Sequence, residues 1–321
     1  MTPRAALTGA LLLTMATPAT WPLGLAVFLL RGGLLVVALP IVVLPTPVGI
    51  GNLVAPTLTR VVLGGVSVGF ALLVTTIVVA GLAWVVAGGL LAATFEAEAA
   101  RIVAAKAAAP VGVIALDQHE TQDLAGSAAS WVVQRHRIEA SRIFRARAVA
   151  HLPLVIAIAW GSARLVAVTY RELTNPFDVA TPVVWRVLRG SPDVVAAIVL
   201  TWMLGQIVGA IAARQVAFTR GGTAAALRAA FATLVRRPLT VLLDFWLPTL
   251  VLALVLAPSA VAAASAGEVV RAAMNSRNDP VGLVLAVVLF VSLWMVGVAL
   301  TGVICAWRAA VWTVGFGEPS R

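Results

Sequence analysis

Few side chains in this sequence have the type and spacing to do chemistry, and the most suggestive group lies in one polar stretch. His119-Glu120-Thr121-Gln122-Asp123 has the outline of a zinc-hydrolase helix motif, with aspartate in place of the second histidine. Such an enzyme needs two ligands one helical turn apart and a glutamate base between them. His119 and Asp123 have that spacing, but there is no strong third ligand, His136 being only a candidate. A polar loop also collects such residues for solubility, so no metal site is expected. No glycine-rich phosphate loop, nucleophile elbow or cysteine cluster is present. Cys305 is the only cysteine, which excludes an intramolecular disulfide, and inside an apolar run it reads as small filler. No catalytic residue and no cofactor are expected.

Three other ionisable residues, Arg31, Arg164 and Asp244, stand inside apolar runs. A charge at the centre of a bilayer costs about 2.5–3.5 kcal/mol on insertion scales, so such residues face the bundle interior and pair. By position in their runs, Arg31 is near mid-depth, Asp244 about two turns from one end, and Arg164 nearer the other side. Depth therefore favours a pair between Asp244 and Arg31, with Arg164 snorkelling outward. The pair locks two helices in one reading. In the other it forms an ion, proton or anion site.

The composition explains why these charges are in lipid at all. The 321 residues are 61% hydrophobic and only 11% charged, against about 25% in a soluble domain. The net charge is +10, but the arginines fall between apolar runs. They point to membrane topology and anionic head groups, not to nucleic acid. The bias toward Ala, Val, Arg and Gly suggests a GC-rich bacterial genome, hence a bacterial cytoplasmic membrane.

Six runs are long enough to cross a bilayer, which takes about 20 residues. They are 21–44, 61–94, 148–170, 193–213, 238–264 and 281–303, the last with helix continuing through Trp312. The predicted fold is therefore an all-α, six-span bundle forming one integral membrane domain over 1–321. Arg31-Gly32-Gly33 interrupts the first run. Residues 95–147 form a helical insertion, because FEAEAARIVAAKAAA extends the second helix with strong helix formers and WVVQRHRIEASRIFRAR reads as a basic helix. Residues 265–280 read as a polar loop. Residues 5–16 resemble the apolar part of a signal peptide, but Thr17-Pro18-Ala19 is a poor cleavage site, so an uncleaved surface helix is preferred.

Arginine and lysine counts orient the chain. With six spans, the termini, the 95–147 insertion and the 214–237 loop share one side, which carries fifteen such residues against six on the other. That side is expected to be cytoplasmic.

A weak recurring unit runs along the spans, although a proline after a basic interface segment is also the ordinary start of a membrane helix. Pro18, Pro153 and Pro238 each follow a surface-helix candidate and open an odd-numbered span, consistent with the preference for proline in a first helical turn. The fullest example is Gly221–Ala264, where Leu227, Phe231 and Leu234 recur at helical spacing beside Arg228, Arg236 and Arg237. The elbow LVRRPLTVL before a spanning helix, in a six-span layout, is similar to uncharacterised bacterial membrane proteins. It loosely resembles the membrane domain attached to some glycerophosphodiester phosphodiesterases. That enzyme's chemistry sits in a separate soluble domain, so the resemblance implies no catalytic residue here. Gly205, Gly209 and Ala213 make a smooth stripe for close helix contact.

These features lead to a multi-pass membrane protein, expected to be non-enzymatic. It would bind a partner protein, a second copy or anionic lipid through Arg135, Arg142 and Arg145 on one basic helix and Arg228, Arg236 and Arg237 on another. A transporter or channel using Asp244 and Arg31 is the alternative, and an intramembrane enzyme a third.

Overall fold

The computed structural model describes residues 3–42, 65, 67–108, 125–174, 181, 183–219, 222–275 and 280–316. These are all-helical, with no strand among them, and include six helices long and apolar enough to cross a membrane. The 117–123 stretch and its metal-like motif lie outside the described residues, as do 43–64 and 175–180.

In chain order the helices are α1 (Pro3–Ala16), α2 (Thr20–Phe28), a π-helical turn (Leu29–Gly33), α3 (Leu34–Val42), α4 (Val68–Ala108) and α5 (Ala125–Ala150). They continue with α6 (Leu152–Thr174), α7 (Val183–Gly190), α8 (Pro192–Thr219), α9 (Thr223–Arg236), α10 (Pro238–Asn275) and α11 (Pro280–Phe316). The interruption read at Arg31-Gly32-Gly33 is the π-helical turn. Gly32 has φ +99° there, a left-handed conformation that side chains with a Cβ resist.

Several helices run past the ends of their apolar runs, α11 reaching Phe316. α4 continues unbroken into the Ala- and Glu-rich segment, as expected. α8 extends past Ala213 to Thr219, and α10 extends past Ala264 to Asn275, through residues that read as a polar loop. Ala, Glu, Arg and Met keep a helix going after the apolar run has ended. Hydropathy marks the lipid boundary, not the helix end.

The chain separates into two compact units, Met1–Ser141 with Leu242–Glu318, and Arg142–Val241. In the first, α2 packs on α11 and α4, and α1 lies across α11. Ala10, Val103, Leu252, Ile304, Trp307, Ala310 and Val311 make its core. The Trp307 indole N–H donates to the Leu7 carbonyl at 3.2 Å and fastens α1 to α11. α1 buries Ala6 and Ala10 while Leu11, Leu12 and Met15 stay exposed. α10 and α11 run antiparallel. Ser259 faces Gly297, Phe290 faces Gly267, and the Asp244 carboxylate lies beside Gly315.

In the second unit α6 and α8 form an antiparallel hairpin with a steady register. Val194 meets Gly161, Asp193 meets Arg164, and Gln206 meets His151. The register carries on into the end of α5, where Arg147 lies on Gly209. α7 joins the two spans at one end, and α9 packs on α8 after its other end. Pro192 and Pro280 also open spanning helices, so first-turn proline is not confined to odd-numbered spans. Its missing N–H accounts for Pro153, Pro192, Pro238 and Pro280 without an internal repeat, while Pro18 lies in the turn before α2.

Candidate functional site

The three charges expected in the spans have different fates. Arg31 sits on the π-helical turn with φ −92° and ψ 22°, and its guanidinium donates to the Glu96 carboxylate on α4. α4 can approach because Gly88 lies under the Leu30 carbonyl; a Cβ at Gly88 would come within 3.2 Å of that oxygen. The Glu96 side chain is 4% exposed and the Arg31 side chain 25%. The partner of Arg31 is thus Glu96, not the Asp244 favoured by depth.

Asp244 is 1% exposed. Its Oδ1 is fully enclosed and has no hydrogen-bond partner among the described residues. Phe245 beside it is also buried, and the Arg308 guanidinium lies 5.5 Å from that ring's centroid. Arg164 is toward the α7 end of its hairpin, where its Nε donates to Asp193 Oδ2 at 2.7 Å, with both side chains more than 40% exposed. Asp193 opens α8, where a negative charge also complements the helix dipole.

Reading the sequence missed Glu96. It stands in FEAEAAR, a stretch read as water-facing, and only the rotation of α4 separates it from Glu98. Two residues apart, the pair points about 200° apart on a helix. Glu96 turns inward, while Glu98 turns outward to Arg101 at 3.0 Å. Arg101 also reaches Glu139 on α5. Arg214, read as part of a basic loop, is a fully buried side chain of α8.

A groove of about 30 Å³ lies between α3, α10 and α11, lined by Val36, Leu256, Ser259, Trp294 and Thr301 among others. It is apolar and does not reach Asp244. Ser259 and Thr301 spend their hydroxyls on carbonyls of their own helices, while the Trp294 indole N–H is buried without a hydrogen-bond partner among the described residues. Trp294 lines it, while Trp160 and Trp246 are about half exposed. No group of three His, Cys, Asp or Glu side chains with metal-binding spacing occurs among the described residues.

The basic surface residues divide between two helices. On α5, Arg145 is exposed and Arg142 half-buried; the side chain of Arg135 lies outside the described residues. On α9, Ala226 and Ala230 form the buried face, while Arg228, Arg236 and Arg237 are exposed. Phe231 and Val235 are exposed beside them, at 47% and 76%. No protein-family model, curated protein or solved structure matches this chain.

Proposed function

We propose that this multi-pass membrane protein binds anionic phospholipid at the α9 elbow, with the basic end of α5 adding to the same attraction. The observation that carries this reading is the solvent face of α9. Phe231 and Val235 are exposed between exposed Arg228 and Arg236. A helix meeting only water would not present Phe and Val there, and a helix buried in a protein core would not interleave them with arginines. Apolar side chains seated at the acyl boundary, with guanidinium groups at the phosphates, satisfy both. Exposed Leu239, just past Pro238, continues the apolar strip into the spanning helix.

The test is the enrichment of phosphatidylglycerol over phosphatidylcholine around the reconstituted protein. Each surface arginine contributes roughly 1 kcal/mol of attraction to an anionic leaflet. Replacing Arg228, Arg236 and Arg237 together with Gln should abolish most of the enrichment, and salt should weaken what remains. Unchanged enrichment in the folded triple variant would remove this reading. Pairing with another membrane protein is the competing use of the same surface, and α9-dependent co-purification of one protein at fixed stoichiometry would favour it.

A second reading, transport, has one observation behind it: the spanning segment 20–42 is broken at Arg31, and a buried carboxylate meets the break. Discontinuous helices with ionisable residues at the break are a recurrent device of transporters, and π-helical turns are frequent at functional sites. Solute or proton flux in proteoliposomes that Glu96→Gln abolishes while the fold survives would favour it.

A further inference from the structure

The other end of the α6–α8 hairpin carries a second basic elbow, and its charges are less well satisfied. α7 is eight residues long, VVWRVLRG. It exposes Val184, Trp185 and Leu188 and turns Arg186 inward, so that its side chain is 11% exposed. Nε and Nη1 of Arg186 are buried without a hydrogen-bond partner among the described residues. The facing carboxylate is Glu172 at the end of α6, whose Oε2 lies 4.0 Å from Nη1. That is an ion-pair distance but beyond a hydrogen bond. Glu172 is also shared, since its Oε1 accepts from Arg171 Nη2 at 3.4 Å. Among the described residues, the elbow therefore holds Arg171, Arg186 and Arg189 against one carboxylate, Glu172. The nearby Arg164–Asp193 pair is neutral by itself.

Buried donors left unmade are expensive, more so when charged. A planar guanidinium with two unmatched N–H directions is suited to a tetrahedral oxyanion, which it can grip with two parallel bonds. The surroundings say which oxyanion. A Cβ on Gly190 would lie 3.5 Å from Arg171 Nη2, so this glycine leaves the second guanidinium uncovered beside the first. Trp185, 54% exposed, lies with Val184 and Leu188 on the outer face of α7. Tryptophan with aliphatic neighbours on a short elbow between two spanning helices marks the head-group level of a bilayer. From these relations we infer that α7 and the end of α6 form a binding site for the phosphate of an anionic phospholipid head group, with Arg186 its principal donor.

The site is separate from α9. α7 precedes α8 and α9 follows it, and the 28 residues of α8 span about 42 Å at 1.5 Å per residue. With Arg171, Arg186 and Arg189 against Glu172 and Asp178, the 171–190 segment stays net positive, which favours phosphatidylglycerol over phosphatidylcholine, whose choline would meet the same arginines. Glu172 competes with the phosphate for Arg186, which gives the proposal a signature of opposite sign.

The experiment uses the full-length protein in detergent, titrated with phosphatidylglycerol, phosphatidylcholine or inorganic phosphate, with bound lipid counted by native mass spectrometry. Phosphatidylglycerol should be retained over phosphatidylcholine. Arg186→Gln should lower that retention by about tenfold, the scale of one charge-assisted pair, and Glu172→Gln should raise it severalfold. A purely structural Arg186–Glu172 contact would give no gain in Glu172→Gln. Wild-type retention in folded Arg186→Gln, or no gain in Glu172→Gln, overturns the site. Displacement of the lipid by millimolar inorganic phosphate overturns the head-group assignment. Should Arg186→Gln fail to fold, the Glu172→Gln arm decides by itself. The α9 triple variant must leave the Glu172→Gln gain intact, which separates failure here from failure at α9.

Discussion

The Arg31 guanidinium hydrogen-bonds to the Glu96 carboxylate across 65 residues of sequence, joining a helix break to the second half of a continuous 41-residue helix. The Glu96 side chain is 4% exposed, so water could not replace the guanidinium cheaply. Removing one member of a buried pair leaves an uncompensated charge, which costs about 3–5 kcal/mol, whereas replacing both by apolar groups of similar size can be neutral. Arg31→Met should therefore lower the thermal unfolding midpoint in detergent sharply, and Arg31→Met with Glu96→Leu should recover most of the loss. A double variant as unstable as the single one would show that the pair does more than neutralise itself.

Asp244 presents the opposite case. It is 1% exposed, with Oδ1 lacking a hydrogen-bond partner among the described residues, and Gly315 backs its other oxygen. A carboxylate so placed loses its hydration without compensation. Asp244→Asn should leave the unfolding midpoint unchanged or raise it, because the amide keeps the shape and carries no charge. A marked fall would mean that the carboxylate has a stabilising partner in the membrane-embedded protein, such as a bound cation.

What the sequence disclosed follows the same physical division. Long apolar runs identify spanning helices because the bilayer leaves a chain no alternative to internal hydrogen bonding, and Arg31-Gly32-Gly33 was legible as an interruption for its glycines and charge. Asp244 was legible as a charge in an apolar run. Its solitude was not, since that depends on which face α11 turns toward it. Glu96 was hidden among helix-forming residues whose inward or outward direction is set only by packing. Arg186 was visible as one arginine of an amphipathic VVWRVLR, but its unmatched nitrogens emerge only when α7 folds against Glu172.

Close approach of α2 and α11 gives a third prediction. A Cβ on Gly24 would lie 2.6 Å from the backbone nitrogen of Ala306 and 3.0 Å from its Cα. Both are backbone atoms of a helix and cannot step aside as a long side chain would. Gly24→Ala should separate α2 from α11 and destabilise the first unit by about 1–3 kcal/mol, the range for overpacking a close-packed site. Gly81 on α4 supplies the control, since nothing lies within 4 Å of its added Cβ. There the higher helix propensity of alanine should make Gly81→Ala neutral or stabilising by up to about 1 kcal/mol.

The glycines of α8 make a sharper test, because a polar contact depends on them. His151 occupies the break between α5 and α6. Its Nδ1 lies 2.8 Å from the Arg147 carbonyl and so carries the proton, which leaves Nε2 to accept from the Gln206 amide at 3.3 Å. The ring fits only because Gly205 has no side chain: a Cβ there would come within 2.9 Å of His151 Cδ2 and 3.1 Å of the Ala150 carbonyl. Gly205→Ala should thus push the ring outward, break the Gln206 contact and weaken the hairpin, at a cost of about 1–3 kcal/mol. Gln206→Ala removes the same hydrogen bond without the steric push and should cost only about 1 kcal/mol. Gly209 faces the flexible Arg147 side chain at 3.3 Å, so Gly209→Ala should be the mildest of the three. Unfolding midpoints that rank Gly205→Ala lowest and Gly209→Ala highest would establish backbone and ring clearance, not a generic stripe of small residues, as what fixes the register of α6 on α8. Equal losses for the two glycine variants would refute it.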